Sequence, residues 1–421
     1  MSVPARLAEL LDPEAAGAKF ARSGFDVACV RADYVRYKPD DTTIVSYLLT
    51  TPRGATERGY VRWCTDTAEA DHIAAKAATF RMTTSSLGGA TTRLDDHSVF
   101  YPFPNDARLR RMRWHTTPRK WKRTLEPLVP HPTQLSASRS SVDILRYKPE
   151  RRVVVAAHLV TTNQLRRSVL VRYSTSNLAP SMAAVATSLR GSGVDTPRPL
   201  MQLDDGRVGI DEFIDADDLR TAVDAHRVSA ADVAQAIGAF HEARVDALRR
   251  RVVDDLAQAR SGLGGLARWC TSTQRLTDVI ARRLVRSMPT DTGSDVLLHG
   301  DLHDRNIMVR PSGAVTFVDL ERVARGPAAI DLGRLRGAGI AASVRHPGLS
   351  LNASAFVEQV IEDRRRGQRH PTGEREIAWH TAVALTAQAL LAARHLETDW
   401  RTSVPTLLEL ALAELDGLPV A

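Results

Sequence analysis

The sequence predicts an α+β protein in which two similar β-sheet modules precede a helical C-terminal region. The first observation is an internal repeat, because residues 33–67 align without gaps on residues 143–177. The second is a change of pattern after about residue 223, where apolar residues recur at helical spacing and long runs of β-branched residues stop. Together these observations divide the chain into a duplicated sheet module and a helical region.

Each copy of the repeat predicts the same succession of elements. The first strand of each copy ends in Arg-Tyr-Lys-Pro, at residues 36–39 and 146–149. Two more strands, a helix and a last strand follow, with turn residues between them. The strands after the first are expected at 42–49, 58–64 and 98–105 in one copy, and at 153–160, 168–174 and 208–215 in the other. The helices are expected at about 67–80 and 180–190.

The C-terminal region predicts a series of amphipathic helices. Ser229 is a plausible N-cap, and Asp232 three residues later completes a capping pattern. The helices are expected at about 229–248, 252–262, 266–288, 354–366, 374–397 and 403–416. The expected modules are therefore residues 1–130, 131–222 and 223–421, and the second module leads directly into the helical region.

A basic segment separates the two copies. Residues 108–123 are rich in Lys and Arg, with Trp114 and Trp121 between them, and 127–141 is a Pro- and Ser-rich connector. Basic runs with aromatic residues can bind nucleic acid or phosphorylated ligands, but a solvated linker face is the preferred interpretation. We therefore do not expect a nucleic-acid partner.

One polar loop carries the most specific signal in the chain. Short apolar runs flank residues 299–306, and a third apolar run ends at Asp319. Asp301 and Asn306 therefore lie on one loop, with Asp319 at the end of a nearby strand. A phosphoryl-transfer site needs a carboxylate that orients the attacking hydroxyl, and it needs oxygen ligands for Mg²⁺. We expect Asp301 in the first role and Asn306 and Asp319 in the second, whereas a polar loop between two core strands is the alternative.

This segment resembles the aminoglycoside/choline phosphotransferase family, which has a bilobal protein-kinase-like fold. The family's His-Gly-Asp-x4-Asn loop is matched by His299, Gly300, Asp301 and Asn306, and its metal-binding Asp by Asp319. The resemblance implies that each sheet module is similar to a kinase N-lobe and that ATP or GTP binds with Mg²⁺. It also implies that His299 and Asp331 have structural roles near the site.

The resemblance further implies where the nucleotide binds. The last strand of the second module runs into a hinge at about 210–217, where main-chain groups of Glu212, Phe213 and Ile214 are the expected adenine contacts. The position of the family's phosphate-binding Lys is occupied by Arg172, and the following helix has no acidic residue to orient it. Arg is not equivalent to Lys, although it can also bind phosphate.

The turn after the first strand of the second module has no glycine with which to cover phosphates. Its basic residues, Lys148, Arg151 and Arg152, could neutralise the phosphates with their side chains instead, or could simply be solvated at the tip of a hairpin. The first module is expected to be a diverged duplicate that packs against the second or helps shape the acceptor site.

The acceptor is the least determined part of the prediction. Acidic and basic residues are nearly equal in number after residue 223, so no acidic excess indicates a polycationic substrate. The expected reaction is transfer of a nucleotide γ-phosphate to a hydroxyl of a small molecule such as an antibiotic, a sugar or an amino alcohol. A Ser or Thr of a peptide precursor, or a nucleotide-binding pseudokinase scaffold, remains as an alternative.

Composition sets the remaining expectations. The net charge is +8, and the apolar runs are too short to span a bilayer, so no membrane association is expected. The three cysteines, Cys29, Cys64 and Cys270, are widely spaced and suggest free thiols in a reducing cytoplasm. The sequence leaves the oligomeric state open.

Overall fold

The computed structural model describes residues 5–37, 43–78, 91–109, 112, 118–129, 133–246, 255–289, 295–345, 351–368, 372–397 and 399–418. Within these residues, the first sheet module begins with two short helices, and a third helix precedes its last two strands. A fourth helix lies in the connection to the second module. The helices are α1 (Ala5–Leu11), α2 (Pro13–Arg22), α3 (Thr67–Ala78) and α4 (Pro118–Leu125). The strands are β1 (Cys29–Arg36), β2 (Thr43–Thr50), β3 (Thr56–Trp63), β4 (Thr92–Arg93) and β5 (Ser98–Pro102).

The second module forms a sheet of the same construction, with one helix between its third and fourth strands. Its strands are β6 (Ser141–Lys148), β7 (Arg152–Val160), β8 (Arg166–Ser174), β9 (Pro199–Leu203) and β10 (Val208–Glu212), and its helix is α5 (Ala179–Gly191). The strand orders are β1-β2-β3-β5-β4 and β6-β7-β8-β10-β9, and all pairings are antiparallel. The duplicated sheet predicted from the repeat is therefore present.

The strand registers of the two sheets repeat as well. Both sheets align their central strands at the same offset as the sequence repeat. The matching rows are Val45, Val61 and Phe100 in the first sheet, and Val155, Val171 and Ile210 in the second. The short strands β4 and β9 are out of step by one residue, in agreement with the Leu-Asp-Asp segments at 94–96 and 203–205, which are offset by 109 residues.

The sequence pattern missed these two edge strands, so each sheet has five strands instead of four. β4 is only two residues long, and β9 begins at Pro199, which cannot donate a ladder hydrogen bond. The turn between β9 and β10 places Asp204 and Asp205 at φ of 61° and 52°. Two successive residues with positive φ are typical of a tight hairpin that keeps the twist of its strands.

The C-terminal region contains short strands around the polar loop and a set of helices. The strands are β11 (Asp217–Asp218), β12 (Val296–Leu298), β13 (Ile307–Val309), β14 (Val315–Phe317) and β15 (Ala324–Gly326). The helices are α6 (Leu219–Asp224), α7 (Ala230–Glu242), α8 (Asp255–Trp269), α9 (Gln274–Arg286), α10 (Ala329–Arg345), α11 (Leu351–Arg366), α12 (Glu374–Arg394) and α13 (Trp400–Asp416). Ser229 caps α7, and Asp232 completes the predicted capping box.

Two features of this region differ from the sequence prediction. The break between α8 and α9 falls at residues 270–273, later than the predicted break near 263–265, because the glycines there lie inside α8. Helix α10 was not predicted, since Gly333, Gly337 and Gly339 lower its helix propensity. A Cβ at Gly333 would lie 2.8 Å from the His380 carbonyl carbon, so glycine permits α10 to pack closely on α12.

Three apolar clusters hold the elements together. One lies between the two sheets and joins side chains of the first module, such as Tyr60, to those of the second, such as Tyr147. A second cluster joins the opposite face of the first sheet, which includes Phe100, and helix α2, which includes Phe20, to helices α8, α9, α12 and α13. The third surrounds Phe317 and includes α7, the polar loop and α5. The first module is thus packed on both sides.

Two sequence expectations concern regions away from this core. In the basic segment 108–123, residues 110–111 and 113–117 lie outside the described residues and residues 118–123 belong to α4, so its predicted solvated character stays a prediction. Among the described helices, none combines the length and the apolar character that crossing a bilayer requires.

Candidate active site

The polar loop runs from β12 to β13, and Gly300 shapes its start. Gly300 has a φ of 75°, and a Cβ at this position would lie 2.1 Å from the Arg322 carbonyl oxygen. Only glycine fits such a conformation against neighbouring backbone without a shift. The loop can therefore pass directly against the segment that follows Asp319.

Asp331, on the first turn of α10, is completely buried beneath this loop. Its carboxylate accepts hydrogen bonds from the main-chain N–H groups of His299, at 2.7 Å, and Gly300, at 2.9 Å. It also lies 3.3 Å from Nε2 of the buried His241. Burial would raise the pKa of the Asp331 carboxyl, but the hydrogen bond and charge of His241 and the charge of His299 hold the pKa below its ordinary value. An ionised carboxylate thus fixes the start of the loop.

Hydrogen bonds connect the loop to the end of β14. The Asn306 side-chain amide donates to the Asp301 carbonyl oxygen at 2.9 Å. The Val318 N–H donates to the Asn306 carbonyl oxygen at 3.0 Å, and His299 Nε2 lies 2.9 Å from the Val318 carbonyl oxygen. The loop and the strand end are therefore held in one arrangement, which fixes the main chain that carries Asp301, Asn306 and Asp319.

Asp319 follows β14 in the left-handed region, with a φ of 58°. Its Oδ1 atom is buried and accepts no hydrogen bond, and Arg152 Nη1 lies 3.6 Å away. Burial would raise the pKa of this carboxyl, but the positive charges of Arg152 and Arg172 hold the pKa below its ordinary value. Asp319 is consequently an ionised carboxylate with an oxygen that lacks a hydrogen-bond donor.

This oxygen fits a divalent cation. Because the Asn306 amide nitrogen is engaged, the amide oxygen is the remaining acceptor on that side chain. In the described parts of the chain, no three or more His, Cys, Asp or Glu side chains are grouped as a metal site. Mg²⁺ typically takes one or two carboxylates together with waters and phosphate oxygens, so two protein oxygens suit it better than a closed protein cage.

Asp301 is the most accessible of the three residues. Its carboxylate is 42% exposed, and Oδ2 lies 3.8 Å from Arg322 Nε. Its main-chain N–H donates to His299 Nδ1 at 3.3 Å, so the same imidazole contacts both the loop and the β14 end. The main chain of Asp301 is fixed while its carboxylate remains open to a ligand.

Arg172, on β8, lies in a cleft between the second sheet and α5. Its Nη1 contacts the Met182 sulfur of α5 at 3.2 Å, and its Nη2 lies 3.9 Å from Asp211 Oδ2 of β10. The sequence has no acidic residue on α5 that could pair with Arg172, and the partner lies on the adjacent strand instead. Asp211 lies opposite Leu170 of β8, and Leu170 is two residues from Arg172 on the same face of the sheet. The pairing of β8 with β10 is therefore the signal that identifies Asp211 as the partner of Arg172.

The basic turn between β6 and β7 borders this site. Arg152 pairs with Glu321, two residues after Asp319 in the sequence. Burial, together with the positive charges of the neighbouring arginines, lowers the pKa of Lys148 to about 8. The charge of Asp319 acts in the opposite direction on Lys148, which indicates that the two side chains are neighbours.

Glu150, inside the same turn, was not recognised from the sequence. It has a φ of 57°, and its buried carboxylate accepts hydrogen bonds from Arg36 and Arg62 of the first module, each at 3.1 Å. Its main-chain N–H donates to the buried Asp106, also of the first module, at 2.9 Å. One acidic residue within a basic turn was the available signal. The first module therefore anchors the turn of the second.

The predicted hinge continues from β10 without regular structure until β11. The Glu212 N–H donates to the Arg198 carbonyl oxygen at 2.9 Å, so it is not free to bind a purine. Within the described residues, Phe213 and Ile214 make no main-chain hydrogen bond outside the sheet ladders. The Phe213 ring contacts His158 at 5.9 Å between centroids.

Comparison with known proteins adds an independent observation. The family model described as "Phosphotransferase enzyme family" matches residues 156–380, slightly more than half of the chain. This match includes the polar loop, the end of β14 and Asp331. No curated protein matches the chain.

Solved structures of similar fold include three phosphotransferases. The choline kinase LicA from Streptococcus pneumoniae is 15% identical, with a TM-score of 0.47 over 71% of this chain and 98% of that one. The spectinomycin phosphotransferase APH(9)-Ia, solved with ADP and spectinomycin, is 13% identical, with a TM-score of 0.47 over 70% and 98%. A choline/ethanolamine kinase family protein from Mesorhizobium loti is 14% identical, with a TM-score of 0.48 over 73% and 96%.

Proposed function

Because the chain belongs to the phosphotransferase enzyme family, we propose that it transfers the γ-phosphoryl group of ATP to a hydroxyl of a small molecule. The observation that carries this proposal is the arrangement of Asp301, Asn306 and Asp319 on one loop and one strand end, joined by cross-loop hydrogen bonds. In the reaction, an oxygen–phosphorus bond forms to the acceptor while the bond between the β- and γ-phosphates breaks, and ADP leaves.

Asp301 orients the acceptor hydroxyl and accepts its proton in this proposal. A fixed main chain with an exposed carboxylate suits that role, because the acceptor must reach the carboxylate while the loop keeps its position. His299 and Asp331 have no direct contact with substrates. They hold the loop, since Asp331 binds its first two N–H groups and His299 connects it to Val318.

Asn306 and Asp319 would hold Mg²⁺ through the amide oxygen and the carboxylate. When bound, the ion neutralises phosphate charge that develops during transfer. The orphaned Oδ1 atom of Asp319 and its lowered pKa support this assignment, because a metal ligand must be ionised and available.

The nucleotide would bind between the second sheet and the polar loop. Arg172, Lys148 and Arg151 supply positive charge for its phosphates, and Arg172 is oriented by Asp211. Main-chain groups of Phe213 and Ile214 are the proposed adenine contacts, and Glu212 is limited to its carbonyl group because its N–H is engaged.

The test is ADP release from ATP, or from GTP, in the presence of Mg²⁺ and a panel of alcohols. Replacing Asp301 with Asn is expected to lower the acceptor-dependent rate by about 10²- to 10⁴-fold, the usual contribution of a general base. Nucleotide binding, measured by calorimetry, should change little. Asp399→Asn makes the same chemical change at an exposed site on the C-terminal helices and serves as the control.

One result would refute the proposed function and favour another. Nucleotide binding without ADP release for any acceptor, and without difference between the wild type and Asp301→Asn, would refute the proposal. That outcome would favour a pseudokinase.

A further inference from the structure

The ends of two C-terminal helices bring basic side chains to the candidate catalytic loop. Arg345 is the last residue of α10, Arg394 is the last residue of α12, and His395 follows directly. Helix α10 packs against α12 and also against the turn of the polar loop that contains Arg305. We call Arg305, Arg345, Arg394 and His395 the cationic patch.

The first module forms one wall of the cationic patch. The ring of Tyr34, on β1, lies 5.4 Å from the ring of His395, and β1 packs against α12. Tyr34 is buried in this contact. The patch therefore combines the first module, the polar loop and the two C-terminal helices.

Most of the positive charge in the cationic patch is not neutralised. Arg345 lies 2.7 Å from Glu397, between Nε and Oε2. Asp304, next to Arg305 in the sequence, is instead paired with Arg220 at 2.9 Å. Within the described part of the chain, Arg305 and Arg394 form no ion pair.

The pKa values around the patch agree with this excess of positive charge. Burial lowers the pKa of His395 to about 4, and neighbouring cations lower it in the same direction. Those cations are Arg146, Lys148, Arg305 and Arg345. Burial also lowers the pKa values of Arg345 and Arg394. Crowded like charges disfavour their own ionised forms, so an anionic ligand would stabilise the patch, and His395 is a neutral hydrogen-bonding group at pH 7.

The cationic patch belongs to other elements of the fold than the proposed phosphate contacts, although the charge of Lys148 also acts on His395. Lys148 and Arg151 belong to the β6–β7 turn of the second module, whereas the patch belongs to the loop and to the C-terminal helices. Arg305 lies on the same loop as Asp301, four residues further along the chain, and α10 packs against the short turn that contains Arg305. The patch is therefore placed to contact the molecule that receives the phosphate.

We propose that the acceptor is an alcohol that also carries a phosphate or a carboxylate group. The cationic patch binds this anionic group while the hydroxyl reaches Asp301, and the inference rests on the proposed function. Amine-bearing acceptors are disfavoured, because Arg305 and Arg394 repel positive charge at the same place.

The experiment compares acceptors that share one sugar skeleton and differ in charge. Glucose, glucose 6-phosphate, glucuronate and glucosamine are supplied with ATP and Mg²⁺, and kcat/KM is measured from ADP release. We expect one of the two anionic sugars to exceed glucose by at least about tenfold, the effect of one charge-assisted contact, and glucosamine to be the poorest. Phosphate and carboxylate specificity are separated by comparing glucose 6-phosphate with glucuronate.

Variants test whether the cationic patch causes this preference. Arg394→Ala should lower kcat/KM for the anionic sugar by about 10- to 100-fold and leave that for glucose within about twofold. Arg305→Ala lies in the candidate catalytic loop and can lower both values, so its readout is the ratio of kcat/KM for the anionic sugar to that for glucose, which should fall by about 10- to 100-fold. Arg305 is exposed on a loop, so its variant provides the test even where Arg394→Ala fails to fold. Arg366→Ala removes a charge at a solvent-exposed position of α11 and is the control.

Binding in the absence of turnover separates the two proposals. Calorimetry with ADP and Mg²⁺ present measures affinity for glucose 6-phosphate or glucuronate, which should weaken in the patch variants and at higher salt. Equal or better use of glucose or glucosamine, still dependent on Asp301, would overturn the inference and leave the proposed function intact. If no sugar releases ADP but an anionic sugar binds through Arg394, the proposed function fails and the anion-binding patch stands.

Discussion

Replacing Glu150 by Gln tests whether the first module holds the basic turn of the second. The carboxylate binds Arg36 and Arg62 across the interface between the modules, each at 3.1 Å. Glu and Gln have the same size and meet the same backbone strain at a φ of 57°. The substitution therefore removes the charge and leaves shape and backbone unchanged.

The expected magnitude follows from the burial of the three groups. Removing one partner of a buried ion pair costs about 3–5 kcal/mol. Glu150 is 2% exposed, but the side chains of Arg36 and Arg62 are 19% and 20% exposed, and Arg62 also pairs with Glu69 at 3.3 Å. Both arginines thus keep some solvation, and we expect the lower end of the range, about 3 kcal/mol.

The assay combines urea unfolding with steady-state kinetics. We expect the free energy of unfolding to fall by about 3 kcal/mol. We also expect the KM for ATP to rise about tenfold, because Lys148 and Arg151 lose their anchor and with it about one charge-assisted phosphate contact. The value of kcat should change less, since Asp301 is not displaced.

Glu69→Gln is the matched control, because this glutamate pairs with the same Arg62 but is 40% exposed. Exposed ion pairs contribute about 1 kcal/mol or less, so this variant should unfold close to the wild type. Equal unfolding midpoints for Glu150→Gln and Glu69→Gln, with an unchanged KM for ATP, would refute the anchoring role.

Further predictions concern the loop and the helices beneath it. Because the pKa of Asp331 is lowered in the folded state, its contribution to stability is present above the ordinary pKa of Asp and is lost as pH falls through the lowered value. Asp331→Asn should therefore flatten the dependence of the unfolding free energy on pH below the ordinary pKa of Asp, about 4, and unchanged curvature would contradict this. Gly333→Ala should destabilise by about 1–3 kcal/mol or more through overpacking on His380, whereas Gly339→Ala, with its nearest contact at 3.5 Å, should be tolerated. Equal thermal stability of the two glycine variants would show that α10 can shift.

The loop and the repeat were accessible to sequence reasoning because both depend on local patterns. Residues 299–306 have polar residues at fixed spacing between apolar runs, and such a segment needs no knowledge of distant contacts. The two sheets followed from the repeat, because identical patterns at one offset predict identical pairing. The family match over residues 156–380 agrees with this interpretation.

Helix α10 could not be predicted because tertiary packing determines it. Three glycines in seventeen residues argue against a helix by propensity. Gly333 and Gly337 meet the backbone and side chains of α12 at distances too short for a Cβ. The same residues that weaken the helix in isolation therefore allow its closest contact in the fold.

The partners of Arg172 and Glu150 were missed for a related reason. Asp211 faces Arg172 from the adjacent strand, and Arg36 and Arg62 reach Glu150 from the other module. Such contacts depend on strand register and on the docking of two sheets, which a single sequence does not specify. The charges in the sequence identified the basic turn, but they did not identify the residues of the first module that fix its position.

The double packing of the first module bears on how the nucleotide enters and leaves. In a two-lobed enzyme joined by a single linker, the lobes can swing apart about that linker. Here the first module contacts the second sheet through Tyr60 and the C-terminal helices through Tyr34 and Tyr37, so it bridges both halves independently of residues 213–216. Separating the halves would expose this apolar surface to water. Exchange of ADP for ATP is thus expected to proceed through local movement of side chains and turns, with the two halves remaining joined.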